Sequence, residues 1–360
     1  MSNGFHPEIS PRSNRATELA KEFCRKGHDV TVITKFRDHD YSEFLKKYQM
    51  TFKMWGKSVL PKVPEFKQKH LSVFGRGISR ILSVLFEYPC IEEIFQVKKM
   101  LRNESGYNLM ISFAVPYPVH WGVAWSRTEN RPIAYKWIAD CGDPYMGDVL
   151  DTFRKPFYFQ YLEKYFCRKA DYISIPIETA TNGYYPEFHQ KIKIIPQGFN
   201  FDLNKKGSDY QINNIPTFAY AGGFIPGSRD PRPLLNYLNS LNIPFRFFVY
   251  TNKPELLYEY QSELGDKLLL SNYIPRNELM KVLGKMDFLV NFDNNTTLNS
   301  PSKLIDYSIA NRPVLNISRN FNSNDLLDFL HGDYSSRMSI PKAEIFHIKN
   351  IAGLFLKLLD

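Results

Sequence analysis

Apolar residues recur at helical spacing through residues 15–26, where Ala16, Leu19, Ala20 and Phe23 share one face. Gly27 stops that helix and the β-branched run 30–34 predicts a strand. Short apolar runs at 109–113, 133–138, 172–175, 193–195, 218–221, 245–250, 268–273, 288–292 and 313–317 predict further strands. Helical or turn-rich stretches separate them, notably 161–169, 233–241, 276–285 and 303–310. Strands alternating with helices imply an α/β class with parallel sheets covered on both faces.

The pattern breaks over residues 200–216, where Asn204, Lys205, Lys206, Gly207, Ser208 and Asp209 interrupt two strand series. This stretch reads as a linker. The 360 residues suit two domains at roughly 150 each. The expected division is a Rossmann-like half over 1–200, a second over 201–345, and a C-terminal helix over 346–360 that packs back on the first half. Open α/β sheets bind ligands at the carboxyl ends of their strands, so the sheets should face a ligand cleft between the halves. A doubly wound half normally begins with its central strand, yet only Met1, Ser2 and Asn3 precede the loop 4–11. The first strand is therefore expected to be missing, with an upstream start the favoured reason.

Composition narrows the classes. Hydrophobic residues at 43% and aromatics at 15% exclude disordered and low-complexity chains. The balance of 46 Lys+Arg against 37 Asp+Glu, or +9, favours an anionic partner. Cys24, Cys90, Cys141 and Cys167 show no paired spacing, so neither a zinc site nor a disulfide framework is expected and a reducing cytoplasm fits. No apolar run approaches the roughly 18 residues of a membrane span, and no basic stretch with an apolar core opens the chain. Membrane contact, if made, would be peripheral, on the inner face of the plasma membrane. Residues 53–80 supply a reason for it: seven Lys/Arg against Glu65 alone, interleaved with Phe52, Trp55, Phe66 and Phe74. Such a segment suits an anionic lipid surface. A solvated helical face and a nucleic-acid patch are its rivals, but no nucleic-acid motif accompanies it and no such partner is expected.

Several stretches could carry chemistry. Asp38-His39-Asp40 offers two carboxylates to a divalent ion, but it lies in a charged loop without further ligands, and no metal is expected. His120 follows a strand and precedes a helix, so it either meets a ligand or is a satisfied structural residue. Asp140 and Asp143 follow the strand 133–138, where a carboxylate could act on a hydroxyl or a developing positive charge, or form a turn or cap. Gly198, at a strand end, suits a hinge or a turn. Gly222 and Gly223, with Arg229 and a following helix, resemble a phosphate cradle. Ser302, Lys303 and Asp306 enter a helix after the strand 288–292. They could hold a diphosphate and then a ribose diol, with N-capping by Ser300 or Ser302 as the rival.

Taken together, these residues resemble glycosyltransferase family 4 enzymes of the GT-B fold, most closely bacterial members that build surface polysaccharides. The resemblance runs in order through Arg15-Ala-Thr-Glu18 with Gly27-His28-Asp29, then the stretch from Ser112 to His120, Asp140 to Pro144, and Leu162-Glu163. It continues through Pro196-Gln197-Gly198, Tyr220-Ala-Gly-Gly with Arg229-Asp230-Pro231, and Pro301-Ser-Lys303 with Asp306-Tyr307, and so covers nearly the whole chain. It implies retaining, metal-independent transfer of a sugar from a nucleotide-diphosphate donor on the second half to a glycan or polyprenyl-linked acceptor on the first, with no separate cofactor. Arg229 and Lys303 would neutralise the leaving diphosphate and Asp306 would take the ribose, with Gly222, Gly223 and Ser302 beside them. His120 would meet the donor sugar, Asp140 or Asp143 the acceptor, and Arg12, Arg15, Lys53, Trp55 and Lys57 would form an acceptor or membrane surface. The pattern departs from the family at Leu298, where a first carboxylate is common, and at Ile9-Ser10-Pro11-Arg12, where a glycine pair is common. A sugar-nucleotide epimerase on the same fold and a catalytically silent scaffold are the rival functions.

Overall fold

The computed structural model describes residues 1–61, 69–148, 153–201, 210–225, 227, 229–293, 303–318 and 321–360, with the side chains of 69–74, 76 and 277 left aside. The chain forms two compact units, residues 1–200 with 346–360, and residues 201–345.

The first unit begins with α1 (Pro11–Arg25). Ser10 Oγ accepts from the Ser13 amide (3.1 Å), and Pro11 occupies the first helical position, where no amide is needed. The chain continues through β1 (Thr31–Lys35), α2 (Ser42–Tyr48), β2 (Thr51–Trp55), α3 (Lys69–Phe86) and α4 (Glu93–Leu101). Then come β3 (Tyr107–Phe113), α5 (Pro118–Ser126), β4 (Ala134–Asp140), α6 (Phe159–Lys169), β5 (Tyr172–Ile175) and β6 (Ile192–Ile194). Strands β3-β4-β5-β6 pair in that order and β1 pairs with β2, all in parallel.

At the expected place of a central strand, Ser2 bridges both Thr34 and Phe113 and so joins the two sets. Its amide donates to the Ile33 carbonyl (3.1 Å), and Phe113 donates to the Met1 carbonyl (2.9 Å). Residues 53–55, read from sequence as the start of a lipid-facing surface, instead belong to strand β2. Trp55, the last residue of this strand, is 2% exposed in the core, while Thr51 and Met54 stay exposed.

The second unit runs β7 (Thr217–Ala221), α7 (Arg232–Ser240), β8 (Arg246–Tyr250), α8 (Tyr258–Leu264), β9 (Leu268–Ser271) and α9 (Arg276–Leu283). It continues with β10 (Phe288–Phe292), α10 (Lys303–Ala310), β11 (Val314–Ile317) and α11 (Ser323–Leu330). Its parallel sheet has the order β11-β10-β7-β8-β9. Every residue of β7 and β10 is buried, as expected of strands covered on both faces. The phenylalanine-rich strands have a structural use: Phe218 stacks on Phe247 (4.6 Å) and on Phe288 (4.5 Å), one ladder across three strands.

The chain then returns to the first unit. Phe199 donates to the Phe346 carbonyl and accepts from the Ile348 amide, both at 2.9 Å, which starts α12 (Ile348–Leu356). Ile348, Ile351 and Phe355 pack with Phe5 and with Ala16 and Leu19 on the inward face of α1.

Candidate functional site

In the second unit, the carboxyl end of β7, the middle of β10 and helix α10 meet through one hydroxyl. Tyr307 Oη accepts from the Ala221 amide (3.2 Å) and donates to the Val290 carbonyl (2.9 Å), pinning α10 to both strands. Lys303, one turn earlier, is held with its Nζ 4.6 Å over the Tyr220 ring and 3.4 Å from the Phe292 carbonyl oxygen. Burial, aided by the Arg229 charge, lowers the Lys303 ammonium to about 7, while Asp293 acts the other way. Arg229 also lies within electrostatic reach of Tyr220 and Tyr273. Lys303 and Arg229 are thus close enough to interact electrostatically, an arrangement that an anionic ligand would relieve. Tyr220 Oη donates to the Gly223 carbonyl (2.9 Å). A Cβ on Gly222, at φ +157°, would lie 2.8 Å from that hydroxyl, so the turn needs glycine.

Asp306, expected beside a ribose, is engaged by a residue that sequence reasoning missed. Arg276 places Nε 2.7 Å and Nη2 2.5 Å from Asp306 Oδ1. The signal available in the sequence is a cation in the first turn of α9, where the helix dipole disfavours it. Ser302 lies outside the described residues.

In the first unit the strand-end residues form a buried ion network. Asp140, fully buried, accepts from Arg15 Nε (2.7 Å), Arg15 Nη2 (2.7 Å), Arg12 Nη1 (3.2 Å) and Ser174 Oγ (2.7 Å). These contacts hold its carboxyl below the usual range against the pull of burial. Arg15 Nη2 also donates to the Ile195 carbonyl (2.9 Å), so one guanidinium ties α1 to β4 and to the end of β6. Arg15, expected at an acceptor or membrane surface, is 1% exposed, because the helical face that carries Ala16 and Leu19 turns it toward Asp140. Arg12 keeps partial exposure, its guanidinium resting where a Cβ on Gly142 would sit. Asp143 stands exposed on the next loop, its carbonyl accepting from Tyr117 Oη. Lys53 pairs with Glu104 (2.7 Å), and Lys57 is exposed, 4.6 Å over the Phe36 ring.

His120, placed by sequence at a possible ligand contact, is wholly buried between Tyr117 and Phe166. Trp137 Nε1 donates to Ser112 Oγ (2.8 Å), leaving the Ser112 hydroxyl to donate to His120 Nδ1 (2.8 Å). His120 Nε2 therefore carries the ring proton, 3.5 Å from Cys141 Sγ, and that thiol donates to the Ala139 carbonyl (3.7 Å). Burial lowers the imidazole to about 3, so it stays neutral at physiological pH. Both of its ring nitrogens face protein atoms, Nδ1 the Ser112 hydroxyl and Nε2 the Cys141 thiol.

The loop after β4 hangs on Glu163 of α6, a buried carboxylate whose Oε1 accepts from the amides of Tyr145 (3.3 Å) and Met146 (3.4 Å). Burial raises it from 4.5 to about 7. The folded state therefore keeps a proton that the unfolded state releases, so stability falls as pH rises from about 4.5 to 7. Glu163→Gln is expected to stabilise the first unit by about 2 to 3 kcal/mol at pH 8 and by close to nothing at pH 4.5. Urea unfolding at both pH values checks this; an equal gain at both would contradict it.

Among the described residues, no three His, Cys, Asp or Glu side chains gather within metal-binding reach. Asp40 Oδ1 instead accepts from the Ser42 amide (2.9 Å) and hydroxyl (2.6 Å) in the turn before α2.

No protein-family model and no curated protein sequence matches the chain. Solved structures do. A glycosyltransferase from Rickettsia africae ESF-5 superimposes with a TM-score of 0.59 at 11% identity, over 98% of this chain and 95% of that one. The lipopolysaccharide outer core galactosyltransferase WaaB, in its apo form, gives 0.60 at 10% identity over 99% and 97%. HepE of Anabaena, in complex with UDP-glucose, gives 0.52 at 9% identity over 99% and 98%. At these identities the likeness is one of fold: two Rossmann-like α/β sets of the GT-B type.

Proposed function

We propose that the chain transfers a sugar from a nucleotide-diphosphate sugar to a glycan or lipid-linked glycan, the second unit binding the donor and the first the acceptor. The observation that carries this reading is the pair Lys303 and Arg229 at the strand ends of a GT-B second unit. In the transfer, the bond between the anomeric carbon and a diphosphate oxygen breaks, and a bond to an acceptor hydroxyl oxygen forms as that hydroxyl passes its proton to the departing diphosphate. The negative charge that builds on the departing diphosphate is met by these two cations and by the amides at the start of α10. Side-chain cations in that position support a reaction that needs no resident metal. Retention at the anomeric carbon and a role in cell-surface polysaccharide synthesis rest on the sequence resemblance.

A thermal-shift series with UDP, GDP, CMP and their sugars tests the reading. One nucleoside diphosphate class should raise the melting temperature, since a ligand at about 100 times its Kd adds about 2.7 kcal/mol to the native state. A donor epimerised without acceptor would replace the transferase reading with an epimerase. Absence of any shift would favour a silent scaffold, a reading that the Arg276–Asp306 pair and Leu298 make specific.

A further inference from the structure

We propose that the first unit docks on an anionic lipid bilayer through a surface built by the carboxyl half of α3 and the segment that enters α6. Among the described residues no helix is long and apolar enough to cross a membrane, so the contact is interfacial. Ile78, Ile81 and Leu85 fall on one face of α3 at i, i+3 and i+7, and Ile81 and Phe86 are 58% and 55% exposed. On the neighbouring segment Phe153 and Phe157 are 55% and 72% exposed. The two pieces form one surface: Tyr158 Oη donates to the Leu85 carbonyl, and the Arg80 guanidinium lies 5.7 Å over the Phe153 ring. Contiguous apolar exposure of this kind marks an interaction site.

Charge identifies the occupant. The α3 sequence holds Lys69, Arg76 and Arg80 and neither Asp nor Glu, and Arg154 stands exposed next to Phe153. The carboxylate that follows α3, Glu87, is buried and held by Lys155 and by Tyr145 Oη (2.9 Å). Aromatic and aliphatic side chains rimmed by cations match the interface of a bilayer with anionic headgroups, apolar groups entering the acyl boundary and cations meeting phosphates. The lipid-facing surface thus moves from Trp55, which is buried, to the far end of the same basic segment. The same Glu87 link connects the patch to the loop that carries Asp143, two residues before Tyr145. The surface stands on its own geometry and does not depend on the transferase reading.

Vesicle co-sedimentation of the full chain tests it, with phosphatidylcholine alone against phosphatidylcholine mixed with phosphatidylglycerol. The wild type is expected to sediment with the anionic vesicles, less so when salt rises from about 0.1 to about 0.5 M. Ile81→Ser/Phe86→Ser/Phe157→Ser should lower the partition coefficient at least about tenfold. Circular dichroism and melting verify that the variant folds. Arg80→Glu/Arg154→Glu, which leaves the apolar groups in place, should also lose most of the binding. Unchanged partition of either folded variant, or no preference for anionic vesicles, overturns the proposal. So does a dimer in sedimentation velocity that the triple serine variant abolishes while vesicles bind nothing, since a second copy then covers the face. Nucleotide-induced thermal shifts on the same preparations separate failure here from failure of the transferase reading.

Discussion

Arg229→Ala together with Lys303→Ala is expected to lower kcat/KM for sugar transfer on the order of 10²- to 10³-fold and to abolish most nucleoside diphosphate affinity. Single variants should each show part of the loss. The larger share falls on Lys303, the more deeply buried of the two, because the Tyr220 ring and the Phe292 carbonyl hold its ammonium in place. Binding also has a pH signature. Lys303 starts from about 7 in the free protein, and a diphosphate beside it must raise that value. At pH 8 binding should therefore take up close to one proton, and affinity should fall as pH rises above 7. Titration calorimetry in buffers of differing ionisation enthalpy reads the proton directly. In Lys303→Met both the uptake and the pH dependence should vanish. Undiminished diphosphate binding by the double alanine variant would place the anion elsewhere.

Breaking the Arg15–Asp140 pair should produce the largest loss of stability, about 3 to 5 kcal/mol for Arg15→Met or for Asp140→Leu. Either change leaves one buried charge without its partner, and Arg15 also loses its hold on the Ile195 carbonyl. Replacing both together should cost much less, because an apolar pair needs no solvation. The Asp140 carboxyl sits below its ordinary value, so the stability it contributes is present above about pH 4 and lost in acid. Urea unfolding followed by tryptophan fluorescence isolates the effect, since Trp55, Trp121, Trp125 and Trp137 all lie in the first unit. Single and double variants of equal cost would show that the pair is not coupled.

Local pattern alone determined the α/β class, the parallel alternation and most element positions. The strand 288–292 and the helix 303–310 coincide with β10 and α10, because hydrophobic period and β-branched or aromatic content act within a window of a few residues. Lys303 at a helix start was legible for the same reason. Strand β2 was not, because Lys53 between Phe52 and Trp55 suits a strand as well as a lipid surface; only pairing of Thr51 with Thr31 decides between them. The partners of the charged groups were equally hidden. Arg15 and Asp140 are 125 residues apart and Arg276 and Asp306 are 30 apart. Which carboxylate meets which guanidinium depends on where the sheet brings strand ends and helix starts together. His120 reads in sequence as a polar group at a strand end, and its neutral role appears only once Ser112, Trp137 and Cys141 close around it. Periodicity encodes what each segment is, whereas burial and long-range charge pairing, which set the chemistry of its side chains, exist only in the folded arrangement.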